Sequence, residues 1–154
     1  DYSSFTQTLD KLYSNDSMFG GNGNDTLEGG NGNDTLRGGF DEDSFLFDTD
    51  GANGQDGDDT VEDFARAIQP GDSSDLLILD DADITPGNEL QGDDAAAYLD
   101  GLAGVTVVQA GGNTTINWAN GDSIVLQGIA DTGVFGPIDS FADLQAFGVN
   151  LYVV

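Results

Sequence analysis

Residues 20–37 read GGNGNDTLE GGNGNDTLR, one nine-residue unit written twice with only its last letter changed. Seven of the nine positions are Gly, Asn, Asp or Thr, and Leu27 and Leu36 are the only apolar side chains. Such a unit sets one leucine against the ordering of nine residues. Backbone ordering costs about 1–2 kcal/mol per residue and burying a leucine returns about 1.5–3 kcal/mol, so the unit cannot hold itself folded. Either the stretch is disordered or something outside the polypeptide holds it.

The period extends beyond the two perfect copies. Asp16, Asp25, Asp34 and Asp43 are spaced by nine, each followed by a hydroxyl (Ser17, Thr26, Thr35, Ser44) and then an apolar residue (Met18, Leu27, Leu36, Phe45). One further step back, Leu9 is in phase but Gln7 stands at the Asp position. Three residues with one apolar centre make a very short strand facing a core. The six before them form a turn of residues that tolerate positive φ and close backbone approach. Two such units close one coil. Stacked coils place Leu9, Leu27 and Phe45 on one sheet, with Met18 and Leu36 on the facing one. Turn 20–25 then lies over 38–43, and 11–16 over 29–34. Freed carbonyls and Asp carboxylates of stacked turns converge into an all-oxygen cage of about six ligands, which suits Ca²⁺ better than Mg²⁺.

Composition agrees. The chain of 154 residues carries 29 acidic and 3 basic residues, a formal charge of −26. Only Glu28, Glu42, Glu62 and Glu89 are glutamates, and short Asp carboxylates in Gly/Asn turns suit hard-cation ligation. A charge so far from zero opposes compaction unless counter-ions bind. Lys11, Arg37 and Arg66 are the only basic residues, too few for a phosphate-binding patch, so nucleic acid is excluded as a partner. With no Cys and no His there are no disulfides, thiolate or imidazole metal sites, and no Ser-His or Cys-His dyad. No apolar run approaches the roughly 18–20 residues that span a bilayer. The first residue is Asp1 and no leader follows it, which reads as a fragment of something longer.

GGNGNDTLE and GGNGNDTLR resemble the G-G-x-G-x-D-x-U-x nonapeptide of RTX proteins, a pattern of two consecutive perfect copies with a third in phase. The resemblance implies an all-β fold: a right-handed parallel β-roll of calcium-stacked repeats, capped by a C-terminal antiparallel meander with one or two short helices. FLFDTDGANGQDGDDTVEDF (45–64) looks like the stretch closing many bacterial RTX rolls, and DLLILDD (75–81) like the strand after it. Several Ca²⁺ ions are implied. Gly20, Gly21, Asn22, Gly23 and Asp25 would line one turn, and Gly29, Gly30, Asn31, Gly32 and Asp34 the next. Gly38, Gly39, Phe40, Asp41 and Asp43 line a third. Asp16 is implied opposite Asp34, and Asp56, Asp59, Asp63 and Asp75 toward the closing end. Two departures stand out: Asp41 replaces a glycine, and unit 11–16 has no glycine at all.

Other motifs fail on spacing. Asp48-Thr-Asp50-Gly begins like an EF-hand, but its twelfth position is Asp59 rather than Glu. Gly21-x-Gly23 and Gly30-x-Gly32 lack the third glycine of a dinucleotide loop. Asn24-Asp-Thr26 and Asn33-Asp-Thr35 match the glycosylation sequon only because the repeat contains it.

Three regions are expected: 1–19, a degenerate repeat and cap; 20–83, the calcium roll and its closing loop; and 84–154, the capping region. In the last, DDAAAYLDGL (93–102) and 140–146 read as helices, and 104–110, 113–119 and 122–129 as strands. Gly111-Gly112 and Asn120-Gly121 are hairpin signals, and Trp118 reads as core. Leu151-Tyr152-Val153-Val154 resembles the uncleaved terminal signal of type I secretion. The resemblance therefore implies an extracellular, secreted bacterial module that folds on Ca²⁺. Its expected partners are calcium ions, the type I secretion apparatus during export and an upstream passenger domain. Three functions compete: a secretion and folding module, a carbohydrate-binding or adhesion module of an extracellular enzyme or adhesin, and catalysis by a carboxylate pair. No element singles out one carboxylate pair, so the module is expected to be non-catalytic.

Overall fold

A computed structural model describes residues 6–8, 14–49, 57–65, 74–81, 83–131, 133 and 136–154. The repeats make short strands that alternate between two sheets. Strands β1 (Thr6–Thr8), β3 (Thr26–Glu28), β5 (Ser44–Asp48) and β7 (Leu76–Asp80) pair in parallel in one sheet. Strands β2 (Ser17–Asn22), β4 (Thr35–Phe40) and β6 (Asp58–Val61) do the same in the other. A parallel neighbour two elements on, with a turn on either side, is what the nine-residue period demands. In β3 and β5 the apolar position is buried between partly exposed neighbours, the alternation of a strand with one face on a core.

The core runs as a file between the sheets. Leu27, Phe45 and Leu77 share one row and Leu36 and Val61 the facing one, all but fully buried. Phe64 packs on Phe45 with ring centroids 5.7 Å apart.

Both sheets are mixed rather than parallel throughout. β9 (Thr106–Ala110), β10 (Asn113–Asn117) and β11 (Ser123–Leu126) form the expected antiparallel meander. Gly111 and Gly112, both at positive φ (61° and 87°), make its tight first turn. β11, however, also pairs in parallel with β6, so the meander extends the second sheet instead of sitting on its end. In the first sheet β12 (Asn150–Val153) lies between β7, its parallel partner, and the short β8 (Leu90–Gln91), its antiparallel one. The tail read as a secretion signal is thus an interior strand, with Leu151 and Val153 buried.

Helices α1 (Gly92–Asp100) and α2 (Phe141–Ala146) agree with the sequence reading to within two residues. They bury Ala95, Ala96, Leu99, Phe141 and Leu144. Ser140 caps α2 by accepting the Asp143 amide, and the Asp100 carboxylate accepts those of Phe141 and Ala142. Trp118 packs against the core, as read.

One register differs from expectation. Gln7, not Leu9, aligns with Leu27, so this first coil is two residues longer than the one from Leu27 to Phe45. Unit 11–16 lacks the glycines that let the other turns close tightly, and a shift of two keeps the strand's facing unchanged. Leu9, Lys11 and Leu12 themselves lie outside the described residues.

Candidate metal centre

The turns stack in two rows, one along each side of the core. In the first row the Asp25 amide donates to Oδ1 of Asp43 (2.9 Å), and the Asp43 amide to Oδ1 of Asp75 (3.0 Å). In the second the Asp16 amide donates to Oδ1 of Asp34 (2.7 Å), and the Asp34 amide to Oδ1 of Asp59 (2.8 Å). Asp34, Asp43, Asp59 and Asp75 thus each reach one coil back to hold the amide of their equivalent. Asp25, Asp34, Asp43, Asp59 and Asp75 are all at most 3% exposed. Asp16, at the outer end of its row, is partly exposed and accepts the Ser14 hydroxyl.

The second oxygen carries the chemistry. Oδ2 of Asp34 and Oδ2 of Asp43 are buried without a hydrogen-bond partner. Each lies under the first glycine of its own turn: a Cβ on Gly29 would collide with Asp34 Oδ2, and one on Gly38 with Asp43 Oδ2. A Cβ on Gly20 would stand 2.6 Å from Asp25 Oδ2. None of these three glycines has positive φ, so the first position is glycine for room and not for conformation. Main-chain carbonyls crowd the same turns from the coil before. The Gly21 carbonyl abuts Gly39, that of Ser14 abuts Gly32, and that of Gly32 abuts Gly57, each too closely for a side chain. A buried carboxylate oxygen left unsatisfied costs several kcal/mol, by order of magnitude. A hard divalent cation among carbonyls supplies the missing partner, so the donor set fits Ca²⁺. Among the described residues no group of three or more acidic side chains is placed to hold a metal. An ion here would draw at most two carboxylates and complete its shell with carbonyls.

Burial raises the carboxyl pKa of Asp34 and Asp43, opposed in part by the amides of Asp16 and Asp25. Asp75 is pushed up to about 6 by burial, against the amides of Ala65 and Asp43 that hold it down.

The closing acids separate. Asp59 extends the second row and Asp75 the first. The second oxygen of Asp75 accepts the Ala65 amide, so both its oxygens are engaged by main chain. Asp63 accepts the Gly38 amide on Oδ1, and the Gly39 amide and Arg37 Nε on Oδ2. Asp59 and Asp63 therefore grip the two ends of the Asp34–Gly39 stretch. Asp41 holds φ at 80°, the conformation of the glycine it replaces, and its Oδ2 accepts the Gly23 amide (3.1 Å). Phe40 is 73% exposed, so its side chain takes no part in the turn's interior. Asn22 is exposed and Asn31 buried, while Gly30 is partly exposed with φ of 86°. Asp56 lies outside the described residues.

Both rows end on apolar residues that the sequence reading did not identify. Ile124 aligns with Asp59, and Val149 precedes Asn150, the partner of Leu76, so it occupies the place of Asp75. Both are buried. Missed too was that 54–62, GQDGDDTVE, is itself a degenerate copy, with Gly, Gly, Asp, Thr and Val at positions one, four, six, seven and eight.

Residues 13–45 match the family model of the RTX calcium-binding nonapeptide repeat, in four copies. No curated protein matches the chain. The chain carries RTX calcium-binding repeats, and their turns are those with the buried, unsatisfied carboxylate oxygens.

Proposed function

We propose that this chain is a calcium-folded module in which Ca²⁺ clamps successive turns of a right-handed β-roll. The observation that carries this reading is the pair of buried oxygens, Oδ2 of Asp34 and Oδ2 of Asp43, with no hydrogen bond and no room above them for a side chain. When bound, the ion supplies positive charge and coordination. The residues supply the enclosure: Asp34 and Asp43 one carboxylate oxygen each, Gly29 and Gly38 the space, and Gly21 and Gly32 carbonyls from the neighbouring turn. Without metal, a net charge of −26 favours expansion. With metal, binding energy becomes folding energy, because the ion binds only the stacked form.

This chemistry suits a bacterial protein exported unfolded through a type I channel, where calcium is scarce, and folded outside, where it is plentiful. In this proposal the module is non-catalytic, an upstream passenger carries any activity, and the Leu151–Val154 tail serves export before it is buried. No helix among the described residues is long and apolar enough to cross a membrane. The test is a calcium titration followed by far-ultraviolet circular dichroism. A cooperative gain of β signal, reversed by EGTA, is expected; an identical spectrum in excess EGTA refutes the proposal.

A further inference from the structure

The two perfect repeats have the same residues in their turns, yet their fifth positions are held differently. In turn 29–34 the Asn33 amide donates to Asn15 Oδ1 (3.0 Å), and Asn33 Oδ1 accepts the Asp58 amide (3.3 Å). Asn15, Asn33 and Asp58 occupy the fifth position of three successive coils. This ladder runs opposite to its neighbour: each fifth-position amide donates to the coil before, each sixth-position amide to the coil after. In turn 20–25, Asn24 makes no such bond among the described residues. Its side-chain nitrogen stands 3.5 Å from Glu42 Oε2 in an exposed contact. Instead the Gly23 amide donates to Asp41 in the coil after, the same direction as the Asp25 amide.

We infer that Asn33 is a register-holding residue of the roll and that Asn24, its counterpart in the other perfect copy, is not. The repeat formula leaves the fifth position open, so the difference arises from the flanking coils. Asn15 and Asp58 present a side chain and an amide in line with Asn33, whereas the coil after Asn24 spends Asp41 on Gly23. Two adjacent amides donating in opposite directions fix a turn against sliding either way, since any slip lengthens one bond or the other. A turn so fixed is already shaped when metal arrives, and binding then costs less ordering. Asn33 acts by positioning the turn. It is not a ligand.

The inference rests on the calcium reading only for its titration. Asn33→Ala, Asn33→Asp and Asn24→Ala are compared in the full chain with CaCl₂ as the titrant. Asn33→Ala is expected to raise the calcium concentration at half-folding about fivefold. It should also speed hydrogen exchange at the Asp58 amide in saturating calcium. Asn33→Asp keeps the acceptor, as Asp58 does at this position, and should restore both readouts. Asn24→Ala should stay within about twofold of the parent. Equal effects of the two alanines, or unchanged protection at Asp58 in Asn33→Ala, would overturn the inference. A parent chain blind to calcium overturns the calcium reading instead, and exchange at Asp58 alone then decides the ladder.

Discussion

Gly29 stands directly over the carboxylate of Asp34, five residues later in the same turn, leaving no space for even one methyl group. Gly29→Ala must displace either the carboxylate or the turn. We expect a loss of about 1–3 kcal/mol, as for overpacking of a closed site, and a matching loss of calcium affinity. Gly21→Ala is the contrast, since a Cβ there meets nothing within 4 Å. Its cost is that of positive φ alone, about 1 kcal/mol. Urea unfolding in saturating calcium separates the two.

Asp34→Asn and Asp43→Asn should change sign with calcium. Each removes a buried negative charge beside a second acid, which burial already drives toward its neutral form. Without calcium the variants should keep at least as much residual β signal in circular dichroism as the parent. In saturating calcium they should be weaker to urea by about 1.5–3 kcal/mol, the scale of a lost charge-assisted contact.

Proton dependence should invert in the same way. Burial pushes the Asp75 carboxyl up to about 6 from an ordinary 3.8, so the folded state binds its proton more tightly. That contribution is complete below the unfolded value and lost as pH rises through about 6. At pH 7.5 it amounts to a penalty of about 3 kcal/mol. Asp34 and Asp43 act in the same direction. Without calcium, the residual β signal in circular dichroism should therefore rise on going from pH 7.5 to pH 5. In limiting calcium, urea midpoints should fall, because protons compete for the carboxylates.

Removing β12 should uncouple the module. Its strand joins β7 to β8, and Leu151 and Val153 are at most 2% exposed. Leu151→Ala is expected to cost about 2–5 kcal/mol. A chain ending at Val149 should need far more calcium to give the same circular dichroism signal, or show no transition at all.

The repeat region was legible because its code is local. A nine-residue spacing, an apolar eighth position and an Asp sixth position fix strand, turn and facing at once, and the 16-to-34 and 25-to-43 stacking follows. Legibility failed where the spacing broke. Gln55 and Asp56 stand where the perfect copies have Gly30 and Asn31, which hid the coil of Asp59. Asp59, Asp63 and Asp75 read as one closing cluster, yet alternate strand placement sends Asp59 to the opposite row. The ends of the rows were out of reach altogether, since Ile124 and Val149 meet their rows through pairings between strands far apart in sequence. The place of the tail was hidden for a related reason. Four aliphatic and aromatic residues fit an export signal and a buried strand alike, and the strand slot between β7 and β8 is set by distant pairings.

The parallel ladders also set how the molecule yields to force. Because Asp34 is tied to Asp16 eighteen residues back, a chain drawn out from its two ends peels from the rim one winding at a time. Each winding of that size releases about 60 Å of slack. Later windings release more, since Asp59 lies 25 residues from Asp34 and Asp75 lies 32 from Asp43. With metal between the turns, as proposed, the stack would pay out in unequal lengths, longest nearest its far end.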